Sequence, residues 1–163
     1  MALFPVFLLT CAAAGMAGVF FRPGAWYRGL DKPTWTPPNR LFPVIWAVLY
    51  VLIALAAARI AEVPDNDLAL GLWGLQITIN TLWSGVFFGL HRMLAGALII
   101  AALWVTVLAT TVAFWSLDMT AALMMVPYLI WGTYALALNT SVWLRNRGRD
   151  DAQRDEAAVT GKR

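Results

Sequence analysis

The chain has 163 residues, 61% of them hydrophobic and 13% charged, with nine Trp, one Cys and one His. Soluble domains carry about 25% charged and about 45–50% apolar residues, so this is a membrane composition, too apolar for water and too poor in charge for a disordered chain. Cys11 alone cannot close an internal disulfide, and one Cys with one His (His91) excludes the ordinary Cys/His zinc sites.

A helix crosses about 30 Å of hydrocarbon with about 20 mostly apolar residues. Five segments meet that requirement, at 2–21, 41–61, 68–90, 94–116 and 119–144. They predict an all-α membrane protein, a five-transmembrane-helix bundle over 1–145, followed by a polar C-terminal tail over 146–163. In the first segment Ala12-Ala13-Ala14 resembles a signal-peptide cleavage site, but no basic residue precedes the apolar run and it continues to Phe21, so a retained span is expected. The long continuous runs lack the period-two alternation of a membrane barrel. Arg59 is the only charged residue inside a span, and it lies within a turn of the span's end, where it can snorkel to the interface.

Between the first and second spans lies the one long connection, 22–40, rich in Pro and Trp. Proline fixes the backbone at low entropic cost, so this loop is expected to be ordered, as a lid over one mouth of the bundle. The remaining connections, at 63–67, 91–93 and 117–118, are short. Five spans put the first loop, the third loop and the tail on one side. That side carries Arg22, Arg28, Lys32, Arg40, Arg92, Arg145, Arg147, Arg149, Arg154, Lys162 and Arg163, which is all of the basic residues except Arg59. Basic excess marks the cytoplasmic face, which predicts an outside N-terminus, a cytoplasmic C-terminus and a cytoplasmic lid. The net charge of +3 then reports topology and calls for no nucleic acid.

No Asp, Glu, Lys or His lies deep within a span, which disfavours pumps, proton-coupled transporters and voltage sensors, along with general acid–base catalysis. Cys11 reads as a small packing residue and His91 as an interfacial one. The spans do carry Trp. Trp73, Trp115 and Trp143 fit an interfacial belt, whereas Trp46, Trp83, Trp104 and Trp131 lie deeper and are expected to face the bundle interior, where an indole N–H finds a partner. In the third span Gln76, Asn80, Trp83 and Phe87 recur at spacings of four, three and four, on one helix face. Amides there either glue helices together or, mixed with aromatics, wall a pocket for a flat, mainly apolar ligand. Gly85 and Gly89, with Thr81 a turn earlier, permit close helix contact within the bundle or across a dimer.

Three stretches resemble one family. They are Trp26-Tyr27 through Lys32-Pro33-Thr34-Trp35-Thr36-Pro37-Pro38 to Phe42-Pro43-Val44-Ile45-Trp46 and Leu49-Tyr50; Gln76, Asn80 and Trp83 followed by Phe87-Phe88-Gly89; and Pro127-Tyr128-Leu129-Ile130-Trp131 with Leu138-Asn139 beyond. Jointly, and in this order, they resemble the TspO/MBR family, the tryptophan-rich sensory and translocator proteins that include the peripheral benzodiazepine receptor of animals. The resemblance implies a five-helix bundle, a homodimer in the lipid bilayer, and a pocket beneath the first loop. It implies binding of porphyrins such as protoporphyrin IX, or of benzodiazepine-type ligands, with no covalent cofactor and no metal.

Carried over by position, the resemblance makes Trp35, Trp46, Gln76, Asn80, Trp83, Phe87, Trp131 and Ala135 the ligand-binding set, and Thr81, Gly85 and Gly89 the dimer-interface set. Some relatives are linked to light- and oxygen-dependent porphyrin degradation, which would assign Trp46 and Trp131 a catalytic role. The family's cholesterol motif is incomplete here, because Thr140 stands where an aromatic is expected, so the resemblance favours porphyrin over sterol. The expected function is a porphyrin-binding receptor, sensor or transporter in tetrapyrrole handling or stress signalling, located in a bacterial membrane, with the inner one favoured by helical spans.

Overall fold

Pro5, in the first turn where a missing N–H costs nothing, opens helix α1 (Phe4–Phe20). A computed structural model describes residues 1–21 and 23–149 of the chain. After α1 come a single helical turn, α2 (Ala25–Arg28), and then α3 (Leu41–Ile60), α4 (Asp67–Ser84), α5 (Met93–Trp115) and α6 (Met119–Arg145). The five long helices follow the five apolar segments to within a few residues, the usual scatter of helix ends. Arg22 and residues 150–163 lie outside the described residues, and most of the expected tail falls there.

By length and composition, α3, α5 and α6 can each cross a membrane, and α1 is a shorter apolar helix. Helix α4 is less apolar because Gln76 and Asn80 sit in its middle; both are buried. It continues as a π-helical segment, Gly85–Gly89, in which the Leu90 N–H reaches the Gly85 carbonyl at 2.9 Å. The following turn holds His91 in the left-handed region (φ 56°) before α5 starts.

Neighbouring helices close a ring in the order α1, α3, α6, α5, α4 and back to α1. Two halves of this ring pack differently. In the half away from the lid, Ala54, Ala56, Ala57 and Ala58 of α3 and Ala121 and Ala122 of α6 are completely buried. Small side chains let the helices approach closely, which compensates through dispersion for the absence of a hydrophobic drive between helices in lipid. Trp73 belongs to this half: it is buried, donates its indole N–H to the Ile53 carbonyl at 3.2 Å and meets the Phe7 ring edge-on at 4.9 Å. It is therefore an interior residue and not part of an interfacial belt, because a backbone acceptor on α3 satisfies its polar end. Trp115 is exposed, and half-buried Trp143 lies 4.5 Å beneath the Arg147 guanidinium.

Charges finish this end. Arg59 does not snorkel alone, since its Nη2 and Nε lie 2.7 and 2.9 Å from one Asp118 oxygen. The other Asp118 oxygen caps α6, accepting from the Thr120 and Ala121 N–H groups at 2.8 and 3.1 Å. Burial alone would raise the Asp118 pKa, but the Ala121, Arg59 and Thr120 donors outweigh it and hold the carboxyl below its usual range. The N-terminal amine pairs with Glu62 nearby.

Candidate functional site

The other half of the ring is capped by the first loop and encloses a pocket of about 750 Å³, open mouth included. The loop is held by its own backbone and by α6. Lys32 Nζ donates to the carbonyls of Tyr27, Arg28 and Leu30 at 2.7, 3.2 and 3.2 Å, ending α2 with a positive charge where carbonyls collect. Asn146, two residues past the end of the apolar run, is buried and reads the loop backbone in both directions. Its Oδ1 accepts from the Asp31 N–H at 3.0 Å, and its Nδ2 donates to the Asp31 carbonyl at 2.9 Å. Arg149 donates to the Gly29 carbonyl at 2.6 Å, and the Tyr134 hydroxyl to the Trp35 carbonyl at 2.8 Å. Trp26 stacks on His91 with ring centroids 4.5 Å apart, tying the lid to the α4–α5 turn. Burial beneath the lid, followed by the neighbouring Tyr134, pushes the Tyr27 phenol above its ordinary pKa.

Below the lid each helix of the pocket contributes a wall. From α3 come Phe42 and Trp46, from α4 Asn80 and Trp83, and from the π-helical segment Phe87 and Phe88. Helix α5 supplies Ile100, Leu103, Trp104 and Val107; α6 supplies a longer stretch from Tyr128 to Val142 that includes Trp131, Tyr134, Ala135 and Asn139. The rings brace one another: Trp83 lies flat on Phe87 (5.5 Å, 15°), Trp131 on Tyr134 (5.3 Å, 23°), and Trp46 meets Tyr128 edge-on at 5.9 Å. Gly96 is what lets Phe87 lie against α5, because a Cβ there would stand 2.7 Å from the ring.

Polar groups inside this aromatic frame divide into paired and unpaired. Asn80 donates to the Tyr50 hydroxyl at 2.9 Å, Trp83 to Asn139 Oδ1 at 3.2 Å, and Trp104 to the Thr133 hydroxyl at 2.8 Å. The Asn139 amide in turn donates to the Ala135 carbonyl at 2.9 Å. The indole N–H groups of Trp46 and Trp131 make no hydrogen bond within the described residues, although both side chains line the pocket. Among the described residues no Asp, Glu, Lys, Arg or His lines it. Such a site can take up a large apolar ring by burial and stacking and orient it with neutral donors. Among the described residues no cluster of His, Cys, Asp and Glu is fit to hold a metal ion.

Of the expected ligand-binding set, Trp46, Asn80, Trp83, Phe87, Trp131 and Ala135 line one pocket. Trp35 does not line it: its ring is about half exposed (47%) and rests edge-on against Tyr134 at 5.5 Å. Gln76 is completely buried outside the lining, one turn beyond Asn80. Gly85 and Gly89 have a partner within the chain, the Phe21 ring, which would stand 3.6 and 2.8 Å from a Cβ at each position. The Thr81 hydroxyl is turned back to its own helix, donating to the Ile77 carbonyl at 2.9 Å. Residue spacing did not single out Tyr27, Phe42, Tyr134 or the anchor Asn146. Asn146 was hidden by its position at the start of a charged stretch; the one available signal was an amide two residues past an apolar span.

The family model described as the TspO/MBR family matches residues 7–144. The chain is 52% identical over 150 residues to Protein CrtK of Rhodobacter capsulatus, covering 90% of this chain and 94% of that protein. It is 41% identical to the tryptophan-rich sensory protein of Cereibacter sphaeroides, covering 93% and 96% of the two chains. To the human translocator protein it is 33% identical, over 76% of each.

Proposed function

The chain belongs to the TspO/MBR family of multi-pass membrane proteins, and on that premise we propose that it is a receptor or sensor whose ligand is a porphyrin of the protoporphyrin IX type. The observation that carries this reading is the pair of pocket tryptophans, Trp46 and Trp131, with indole N–H groups unspent inside an aromatic frame. A macrocycle offers two broad faces for stacking, and the absence of charges among the described lining residues suits its apolar body. Its carboxylates would stay at the mouth, near the basic residues of the lid side.

In this reading all five long helices span the bilayer, with the N-terminus outside and the lid cytoplasmic. The basic excess at the lid end and the Asp/Glu-bearing turns at the other support that orientation. The assembly is a homodimer. Because Phe21 of the same chain leans on Gly85 and Gly89, the partner's helix is assigned to the adjoining exposed strip beside Thr81, which includes Leu75 and Leu82.

Protoporphyrin IX titrated into the purified protein is expected to quench Trp fluorescence saturably. Trp46→Phe combined with Trp131→Phe keeps the rings but removes both donors and the larger faces, and should weaken binding about tenfold or more. Unchanged affinity in the double variant would remove this pocket as the site. A second reading, oxidative breakdown of bound porphyrin in light and oxygen, is favoured by the same two indoles, which are oxidisable and flank the pocket. A new absorbance band on illumination that disappears in the double variant would mark it.

A further inference from the structure

The end of α6 and the start of the lid gather cations from two elements. Arg149 donates to the Gly29 carbonyl at 2.6 Å, which sets its guanidinium at the end of α2, one residue from Arg28. Lys32 folds over the same helix end, its Nζ 2.7 Å from the Tyr27 carbonyl. The Arg147 guanidinium lies 4.5 Å over the ring of Trp143, which itself packs on the apolar cluster containing Tyr27 and Leu30 of the lid. Arg145 points toward Asp31 at 3.9 Å, with both side chains largely in the open. An ion pair that long and that exposed contributes little, and Asp31 is the one acid at this junction among the described residues. Arg28, Arg145, Arg147 and Arg149 are all exposed. Like charges placed on both sides of a joint push it apart, so the lid's fastening to α6 works against its own electrostatics.

Depth in the membrane identifies the anion that relieves this repulsion. Leu144, the last apolar residue of α6, is exposed, and the first arginine follows it directly. Basic residues at the end of a span lie at the headgroup level, where a guanidinium meets lipid phosphate and can bond it with two parallel N–H groups. A cluster of about four or more Lys and Arg just beyond a span attracts anionic lipid. We infer that Arg28 on the lid and Arg147 and Arg149 beyond α6 form a headgroup site for an anionic phospholipid, whose phosphate bridges the two elements and fastens the lid. A zwitterionic headgroup fits less well, because its own ammonium brings back the repulsion. This site is separate from the pocket and does not depend on what the pocket binds.

The test places the full chain in nanodiscs of phosphatidylcholine alone, or of equal parts phosphatidylcholine and phosphatidylglycerol, and follows amide hydrogen exchange. Phosphatidylglycerol is expected to slow exchange across residues 25–40 about three- to tenfold, the effect of one or two cations meeting a charged lipid, with the α3 segment 53–60 unchanged. Arg28→Gln combined with Arg147→Gln should lose most of that slowing. Both side chains are exposed, and the Arg149 and Asn146 fastenings stay in place, so the double variant keeps its fold. A second pair, Arg40→Gln with Arg92→Gln, removes the same charge from the same end of the bundle, at the starts of α3 and α5, and should retain the slowing. Equal losses in the two pairs would overturn the site in favour of diffuse surface charge. Exchange that ignores the lipid would overturn it too, as expected if Asp150 and Asp151, next in the chain, neutralise the arginines. Slowing by inorganic phosphate added to phosphatidylcholine discs would replace the lipid with a free anion.

Discussion

Helix α3 runs through both halves of the bundle and is built by different rules in each. From Leu49 to Ile60 its inward residues are mostly alanine and isoleucine, completely buried against α1 and α6. Nearer the lid, Phe42 and Trp46 are aromatic and only partly covered, and they line the pocket. The comparison teaches that small residues close the space between helices, whereas large rings braced on one another keep walls apart. A ring such as Trp46, supported by Tyr50 at 5.2 Å and Tyr128 at 5.9 Å, cannot collapse into the gap it borders. The closed half provides a rigid base, and the braced half keeps a pocket open.

The largest expected effect separates these roles most sharply. Ala57→Phe in the closed half inserts a ring where no space exists and should cost about 3 kcal/mol or more, read as loss of folded yield and a lowered melting temperature in detergent. The Trp46→Phe and Trp131→Phe pair should do the opposite, weakening ligand binding while the melting temperature moves little. If Ala57→Phe melts like the parent, the closed half is not close-packed and the comparison breaks.

A middle-sized effect is expected at the lid. Asn146→Ala removes both hydrogen bonds to the Asp31 backbone and one to the Val142 carbonyl, a loss of about 1–3 kcal/mol. It should be felt locally, as faster amide exchange across residues 25–40 with the closed half unchanged. Uniformly faster exchange throughout the protein would show that the lid is part of the global fold and not a separate cap.

The smallest effect belongs to the closed end's ion pair. The native Asp118 carboxyl is held below its usual pKa, so the stabilisation is present above the unfolded carboxylate's value of about 3.9 and is lost as pH falls through the native one. Asp118→Asn keeps a capping side chain but loses the charge. Its melting temperature should lie below that of the parent above about pH 5, by an amount worth about 0.5–1 kcal/mol for a partly exposed pair, and the two should converge as pH falls through the lowered native pKa. A constant offset across that range would show that capping geometry, rather than charge, stabilises this end.

Hydropathy made the five helical segments legible, because long runs without charge leave few alternatives. The face shared by Asn80, Trp83 and Phe87 was legible too, since helical spacing alone puts them together. The same spacing put Gln76 on the pocket wall, but depth along a helix axis depends on where the neighbouring walls meet, and periodicity carries no such information. Trp73 was misplaced for a related reason: its satisfying acceptor is a backbone carbonyl on another helix, and a sequence does not say which carbonyl an indole will reach. The role of Asn146 is equally long-range, as its partner lies at Asp31.

Asn146 has one mechanical consequence. It is anchored on the same helix that supplies Tyr128, Trp131, Ala135 and Asn139 to the pocket, and its hydrogen-bonded register to Asp31 tolerates no sliding. Helix α6 thus works as a ruler with the pocket's wall at its middle and the lid's fastening at its end. Adding or deleting one residue between Trp131 and Asn146 would turn that fastening by about 100° and shift it by about 1.5 Å, uncoupling the lid while every pocket residue remained in the chain. Pocket width and lid position are two readings of one rigid scale, so a ligand that pushes the α6 wall outward carries the lid's anchor with it.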